Sequence, residues 1–599
     1  MLTRDQVKIN ETWNLDDLYK NEDDFYNDQK KVIELKDEFV KKHHDFKTKD
    51  QLKQAILDYE NIWSIVDRLY TFAGISTEVD ATNEHNQKRD KKLAQNMSKI
   101  LSDISYFDSE LLKTDDDVLK EFVEENPIYE YFIKRLLNKK EHMLSEENEN
   151  LISKLEPAIG ANYSLYNDMK YGDIRFSNFT IKDKEIEMSY NTFEEYEEYE
   201  RDTDRRRKAF EHFSETIRKY QNTNASIYNN HVQTEKIISE LRGYDSVFSY
   251  LLDEQDISRE IYENHLDIIM EKLSDPMRKF ANILKKVHKL DQMTYADLKL
   301  SVDEDFEPEV SFNESRDLIV EGLSVLGDEY TDILKEAFDN RWIDYAQNIG
   351  KRTGAFCSSP YLSHPYIMTT YNNRMSQVMT LAHELGHAGH FKYANENQPY
   401  LNVNVSRYFV EAPSTANEIT MERFLLKNAK DDRERLWILS TMISKTYYHN
   451  FVTHFIEASF QREVYRRVDE GENLTASDLN EIFNEKLKEF WKDDVVLSKG
   501  SELTWMRQPH YYMGLYPYTY SAGLSIGTIV SEKIVHGTKE DAKNWIEVLK
   551  SGAKKSPVEL AKMAGVDMTS TKPIEDTIDF ISKIIDEIDI LCEKTGLYK

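Results

Sequence analysis

Residues that make tight turns are scarce in this 599-residue chain: Gly 19 and Pro 12 together fall well under half of ordinary usage. A sandwich, barrel or propeller would need more of them, so the expected fold class is mainly α, built from long helices. Cysteine is nearly absent. Cys357 and Cys592 can form neither a disulfide framework nor a thiolate cage, so any metal must be held by His and carboxylate. No apolar run approaches the roughly 18 residues of a membrane span, and the N-terminal MLTRDQVKINETWNLDDLYK has no apolar core after its early Arg. A cytoplasmic protein is expected. Basic residues are outnumbered, 78 against 109, and the net charge of −31 repels phosphate backbones and anionic lipid. Nucleic acid and membrane are therefore poor partners. With 40% hydrophobic and 12% aromatic residues, the chain has ample material for a core.

From about Leu15 to Glu141 apolar residues recur at three and four, as in Leu52, Ile56, Tyr59, Ile62 and Val66, the pattern of amphipathic helices. Between Asp173 and Tyr190 the pattern changes. Ile174, Phe176, Phe179 and Ile181, then Ile186 and Met188, flank Lys182-Asp183-Lys184, which predicts a short β-hairpin and a domain boundary. Helical period returns at Phe193, with breaks near Gly243 and at the acidic Val302 to Glu309, which act as joints. The implied segments are 1–112 (helical), 113–192 (a subdomain with the hairpin) and 193–599 (catalytic). Tyr361 to Tyr371 is β-branched and aromatic, and Pro365 restricts it to a strand start or an edge. Ser556-Pro557-Val558-Glu559 has capping-box spacing, Gly565 stands where that helix would stop, and a last helix follows from Pro573 with Ile574, Ile578, Ile581, Ile585 and Ile588.

The chemistry concentrates in Leu381-Ala382-His383-Glu384-Leu385-Gly386-His387. H-E-x-x-H on a helix stacks two imidazoles one turn apart on one face, and Glu384 can reach a water in the open position of a metal held there. That is a general base for hydrolysis. The bland alternative is a surface helix that happens to carry these residues. Val378, Leu381, Leu385 and Ala388 count against it, because their stripe would bury the helix, and buried His and Glu need partners. His390 is not expected to be a ligand, since an unbroken helix carries it a further turn away; a supporting or merely polar role is expected.

A catalytic zinc needs a third protein ligand, which composition cannot identify. The better pointer is Phe409-Val410-Glu411-Ala412-Pro413-Ser414, followed by Ile419, Phe424 and Leu425 at helical spacing. Pro413 is tolerable in a first turn, which puts Glu411 near the start of a second helix. Glu418, two turns on, either orients a ligand or faces solvent.

HELGHAGH, with the Glu of FVEAPS 28 residues beyond His383, resembles the M3 family of zinc metallopeptidases, the thimet oligopeptidase-like gluzincins. The TWNLDDLY start, GKRTGAF at Gly350 to Phe356 and the tract HYYMGLYPYTYSAG look like the family's oligoendopeptidase F branch, so the resemblance covers essentially the whole chain. It implies one Zn2+ per chain held by His383, His387 and Glu411, with Glu384 activating water. It also implies a large helical peptidase with a small β element near the motif helix and a deep channel for oligopeptides. A His and tyrosines that contact the scissile carbonyl are implied as well. The tract offers His510, Tyr511, Tyr512, Tyr516, Tyr518 and Tyr520, of which His510 and Tyr518 lead, with Tyr516 next. It is shorter and less glycine-rich than in the thimet branch, which leaves the donor's identity open, and tyrosines packing as core is the alternative for each.

The expected function is hydrolysis of internal bonds in short oligopeptides, with Ser363 to Thr370 binding substrate backbone as an added strand. An exopeptidase of the same chemistry is the alternative, and a noncatalytic zinc-stabilised peptide-binding protein a more distant one. The chain is expected to be a monomer or a small homo-oligomer.

Overall fold

Helices start where side chains replace the missing backbone acceptors. Asn21 and Thr48 accept from the backbone amides of Asp24 and Gln51, opening helices Glu22–Lys42 and Lys49–Glu78. Ser556 forms the expected capping box, and Gly565 takes the positive φ that ends the short helix Pro557–Met563. The structure, a computed structural model, describes residues 2–599, apart from the side chains of Glu146, Asn150 and Ser153. Helices dominate, and the strands among the described residues form two small sheets. No helix among those residues is long and apolar enough to cross a membrane.

The chain folds into two compact units, each assembled from separate stretches. The first comprises the chain up to Glu141, Pro308–Arg423 and Val530–Val566. The second comprises His142–Glu307, Phe424–Ile529 and Asp567–Lys599. The acidic joint Val302 to Glu309 contains one crossing point, between Glu307 and Pro308. The hairpin lies wholly inside the second unit, whose stretches are not contiguous in sequence. Contacts between sequence-distant stretches define compactness, and local composition does not report them.

In the first unit, Glu22–Lys42, Lys49–Glu78 and Glu84–Ile104 pack together, with Leu52, Ile56, Ile62 and Val66 buried as the spacing predicts. The unit also holds a three-stranded sheet. Strands β3 (Ile343–Asp344) and β4 (Phe356–Ser358) flank β5 (Tyr366–Met368), with β3 parallel and β4 antiparallel to it. Of the two placements Pro365 allowed, a strand start or an edge, the structure takes the first, and the strand is central. Pro365 precedes the paired residues and removes no ladder bond, while Ile367 N–H and Thr369 N–H donate to Trp342 O and Asp344 O. Buried Asp344 is held by Arg4 and by Lys351, whose Nζ stands 2.7 Å from Oδ1.

In the second unit, β1 (Phe179–Ile181) and β2 (Lys184–Ile186) form the predicted antiparallel hairpin, with Lys182 and Asp183 both at positive φ. Its last helix, Lys572–Thr595, packs on Arg259–Val287 and buries Ile574, Ile578, Ile581, Ile585 and Ile588. Each such isoleucine contributes roughly 1.5–3 kcal/mol. His265 is buried on the partner helix, its Nε2 2.7 Å from Ser521 Oγ.

Burial pushes the His265 imidazole down to about 3 from its usual value near 6.5. The unfolded chain therefore binds a proton that the folded chain refuses. Stability from this group is complete above pH 6.5 and is lost progressively as pH falls toward 3, by roughly 5 kcal/mol at most. Melting curves of wild type and His265→Gln at pH 7 and pH 4 should show the variant losing less on acidification; equal losses would refute this.

Candidate metal centre

The motif helix, α1 (Met375–Asn397), packs on β4 and β5 and on Lys539–Lys550. Val378, Leu381, Leu385 and Ala388 are fully buried, which fixes the rotation of the helix and removes the surface-helix alternative. The second helix, α2 (Arg407–Asn428), begins earlier than expected, so Pro413 lies inside it. Around the proline, the hydroxyls of Ser414 and Thr415 donate to Glu411 O, at 3.0 and 2.6 Å.

The two helices meet at Gly386. A Cβ there would stand 2.6 Å from both Pro413 O and Ser414 Cα, so only glycine permits this approach. Asn417 fixes the register, donating from Nδ2 to Ala382 O at 3.3 Å while its Oδ1 accepts from the Tyr330 hydroxyl at 3.0 Å.

This close crossing brings His383, His387 and Glu411 together. Glu411 Oε2 stands 3.5 Å from His383 Nε2 and 3.4 Å from His387 Nε2. Donor atoms about 2.0–2.1 Å from one tetrahedral ion stand about 3.4 Å apart, so both separations from Glu411 match those around a zinc-sized ion, and three ligands would leave a fourth position open. His383 Nδ1 donates to Glu418 Oε2 at 3.0 Å, which directs the Nε2 lone pair toward the cluster. Glu418 thus fixes the orientation of the His383 ring. Burial opposes ionisation of Glu411, yet the neighbouring His387 and His383 outweigh it and hold the carboxyl well below its usual range. Burial also opposes charging of His383, but hydrogen bonds to Glu411 and Glu418 carry its pKa well above the usual value. Glu384, one residue from a ligand, is raised by burial, with the two imidazoles acting in the opposite sense.

His390 lies outside this group. Its ring is buried near Phe391 and Phe409 with neither nitrogen hydrogen-bonded, and burial pushes it down to about 3.

The aromatic tract belongs to the second unit. Tyr518 is fully buried there and its hydroxyl donates to Gln255 Oε1 at 2.7 Å. Tyr511 is buried against Tyr228 and Phe460, and Tyr512 packs on Tyr166. The rings of Tyr516 and Tyr520 each lie 5.5 Å from that of His510. Burial, then neighbouring His454, pushes His510 down to about 4. His454 and Glu457 gather around His510 and escaped the sequence reading, because H-x-x-E on a helix is a common surface pattern.

Two substitutions test the metal centre. Glu418→Gln should lower zinc affinity 10- to 100-fold by competition with a chelator, with the fold retained. Gly386→Ala should cost about 1–3 kcal/mol and weaken zinc binding at least about tenfold by separating α1 from α2. Gly74→Ala, where a Cβ meets nothing within 4 Å, should do neither. Unchanged zinc affinity in Gly386→Ala would remove the crossing from the account.

Two family profiles match the chain: Peptidase family M3 over residues 198–580 and Oligopeptidase F over residues 110–176. The chain is 30% identical over 596 residues to Oligopeptidase PepF of Bacillus subtilis, covering 99% of this chain and 88% of that protein. It is 27% identical to an oligoendopeptidase F homologue of Borreliella burgdorferi, covering 98% and 99% of the two chains. The crystal structure of oligoendopeptidase-F from Enterococcus faecium shares the fold, with a TM-score of 0.75 at 21% identity, over 96% of this chain and 99% of that one. With the ligand triangle and the adjacent glutamate in place, these matches lead to one conclusion: the chain belongs to peptidase family M3, as a metalloendopeptidase.

Proposed function

We propose that this protein is a zinc-dependent endopeptidase that hydrolyses internal bonds of short oligopeptides. The observation that carries the reading is the His383, His387 and Glu411 triangle with Glu384 one residue from a ligand. Relatives named as oligopeptidases over nearly the whole chain support the substrate class. His383, His387 and Glu411 would hold the ion. When bound, it supplies Lewis acidity, polarising a peptide carbonyl and acidifying water.

The remaining chemistry belongs to the chain's own residues. Glu384 accepts the proton of the attacking water and returns it to the amine nitrogen as the peptide bond breaks. Burial disfavours its carboxylate, so proton uptake is easier than for an exposed glutamate. Glu418 keeps the His383 tautomer fixed through both transfers. Extended substrate is assigned to β4, Phe356–Ser358, which lies at the edge of its sheet and packs beside α1. From the family resemblance we assign contact with the scissile carbonyl to His510, with Tyr518 and then Tyr516 as the candidate phenol donors. A depressed pKa leaves His510 neutral at neutral pH, a hydrogen-bond donor without a charge.

The test is cleavage of a doubly blocked, internally quenched peptide. Wild type should cut between the blocks, and chelator should abolish cutting. Glu384→Gln with confirmed stoichiometric zinc should lose at least about a thousandfold in kcat/KM. Zinc-loaded wild type that cuts only free-ended peptides would replace this reading with an exopeptidase. Full activity in Glu384→Gln would remove the general base.

A further inference from the structure

A second group of metal-ligating side chains lies inside the second unit. His454, Glu457 and His510 each offer one donor atom, all within 4.8 Å of one another. His454 and Glu457 come from one turn of helix α3 (His454–Asp469), with His454 Nδ1 2.7 Å from Glu457 Oε2. His510 arrives from the short helical turn Pro509–Tyr512, its ring centroid 5.0 Å from that of His454.

Two observations set this group apart from an ordinary buried network. The first is unmet bonding capacity. Glu457 is 1% exposed, yet its Oε1 has no hydrogen-bond partner, and neither does the buried His510 Nδ1. A buried carboxylate oxygen without a partner costs on the order of 1–3 kcal/mol, so such groups call for an explanation such as an ion.

The second is the backbone. Residues Met442–Thr453 form a π-helix, closed by the His454 N–H donating to His449 O. In an α-helix residues five apart diverge by about 140°, but the wider turn returns them to one face. Accordingly, His449 Nε2 and His454 Nε2 stand 3.1 Å apart. Such rare wide turns are found frequently at functional sites, where they re-aim side chains.

We propose that His454, Glu457 and His510 form a second site for one divalent transition-metal ion of zinc's class, with His449 supporting the His454 ring. Imidazole nitrogen and carboxylate oxygen are the donor set that zinc, cobalt and nickel share, and alkaline-earth ions, which prefer all-oxygen shells, should bind poorly. The ion takes the place of the proton shared by His454 and Glu457 and releases it to solvent. His510 uses one ring nitrogen, so its other nitrogen remains available. The assignment does not depend on the peptidase reading, because its test is counted in ions and not in turnover.

Equilibrium dialysis of the full chain against Co2+ in excess should give two ions per chain. Glu457→Gln and His454→Gln should each give one, with circular dichroism unchanged. The double variant His383→Gln/His387→Gln should also retain one, held by the second site. Should Glu457→Gln fail to fold, half-buried His510→Gln serves as the replacement and should likewise lose one ion. A single Co2+ per wild-type chain would overturn the proposal. So would two ions persisting in folded His454→Gln and Glu457→Gln, since the second ion would then lie elsewhere.

Discussion

The metal centre depends on one steric fact: α1 and α2 cross at a residue with no side chain. Pro413 O and Ser414 Cα occupy the space where any other residue at position 386 would carry its Cβ. The sequence distance between His383 and Glu411 is large, and helix packing must close it. Ordinary interaxial distances of about 8–10 Å leave room for side chains at the contact. Here backbone meets backbone, and a glutamate on one helix can share donor geometry with two histidines on the other. Asn417 and Tyr330 then prevent sliding along the contact.

Buried charge is resolved in two different ways within the same unit. Asp344 is satisfied by Arg4 and Lys351, cations supplied by the chain itself. Glu411 has two imidazoles and the Ser414 hydroxyl opposite it but no Arg or Lys among these partners, and Glu384 and Glu418 add two further carboxyl groups nearby. A low-dielectric site with more acid than fixed base favours an incoming cation, because the attraction is strong and water does not screen it. The chain's excess of acidic residues is mostly a surface property, but this local excess has a structural purpose.

The second unit reaches a comparable gathering of His and Glu by another route. There a backbone irregularity, the π-helix Met442–Thr453, supplies the convergence that a glycine contact supplies in the first unit. Tyr516 and Tyr520 wall the same imidazole, which places an apolar body and a polar tip beside each other. Tyr518, two residues from either, instead turns inward to Gln255. Within the helix Pro517–His536 geometry separates Tyr518 from Tyr520 by about 200°, so these neighbours of identical chemistry end in opposite environments.

Local pattern alone determined the helical class, the burial of α1, the last helix with its isoleucine stripe, the Ser556 box and the hairpin at Lys182-Asp183. Each depends on interactions within one or two turns, which sequence spacing encodes directly. The shared face of His383 and His387 was legible for the same reason, and Glu411 was singled out through a motif. Tertiary structure alone decided the rest. It placed Tyr366–Met368 at the centre of its sheet, carried α2 through Pro413, turned Glu418 to His383, and buried Tyr518. It also cut the compact units across the contiguous segments and gathered His454, Glu457 and His510. Strand order, helix crossing and unit membership are set by contacts between residues far apart in the chain, and no local periodicity records which distant partner a buried face will meet.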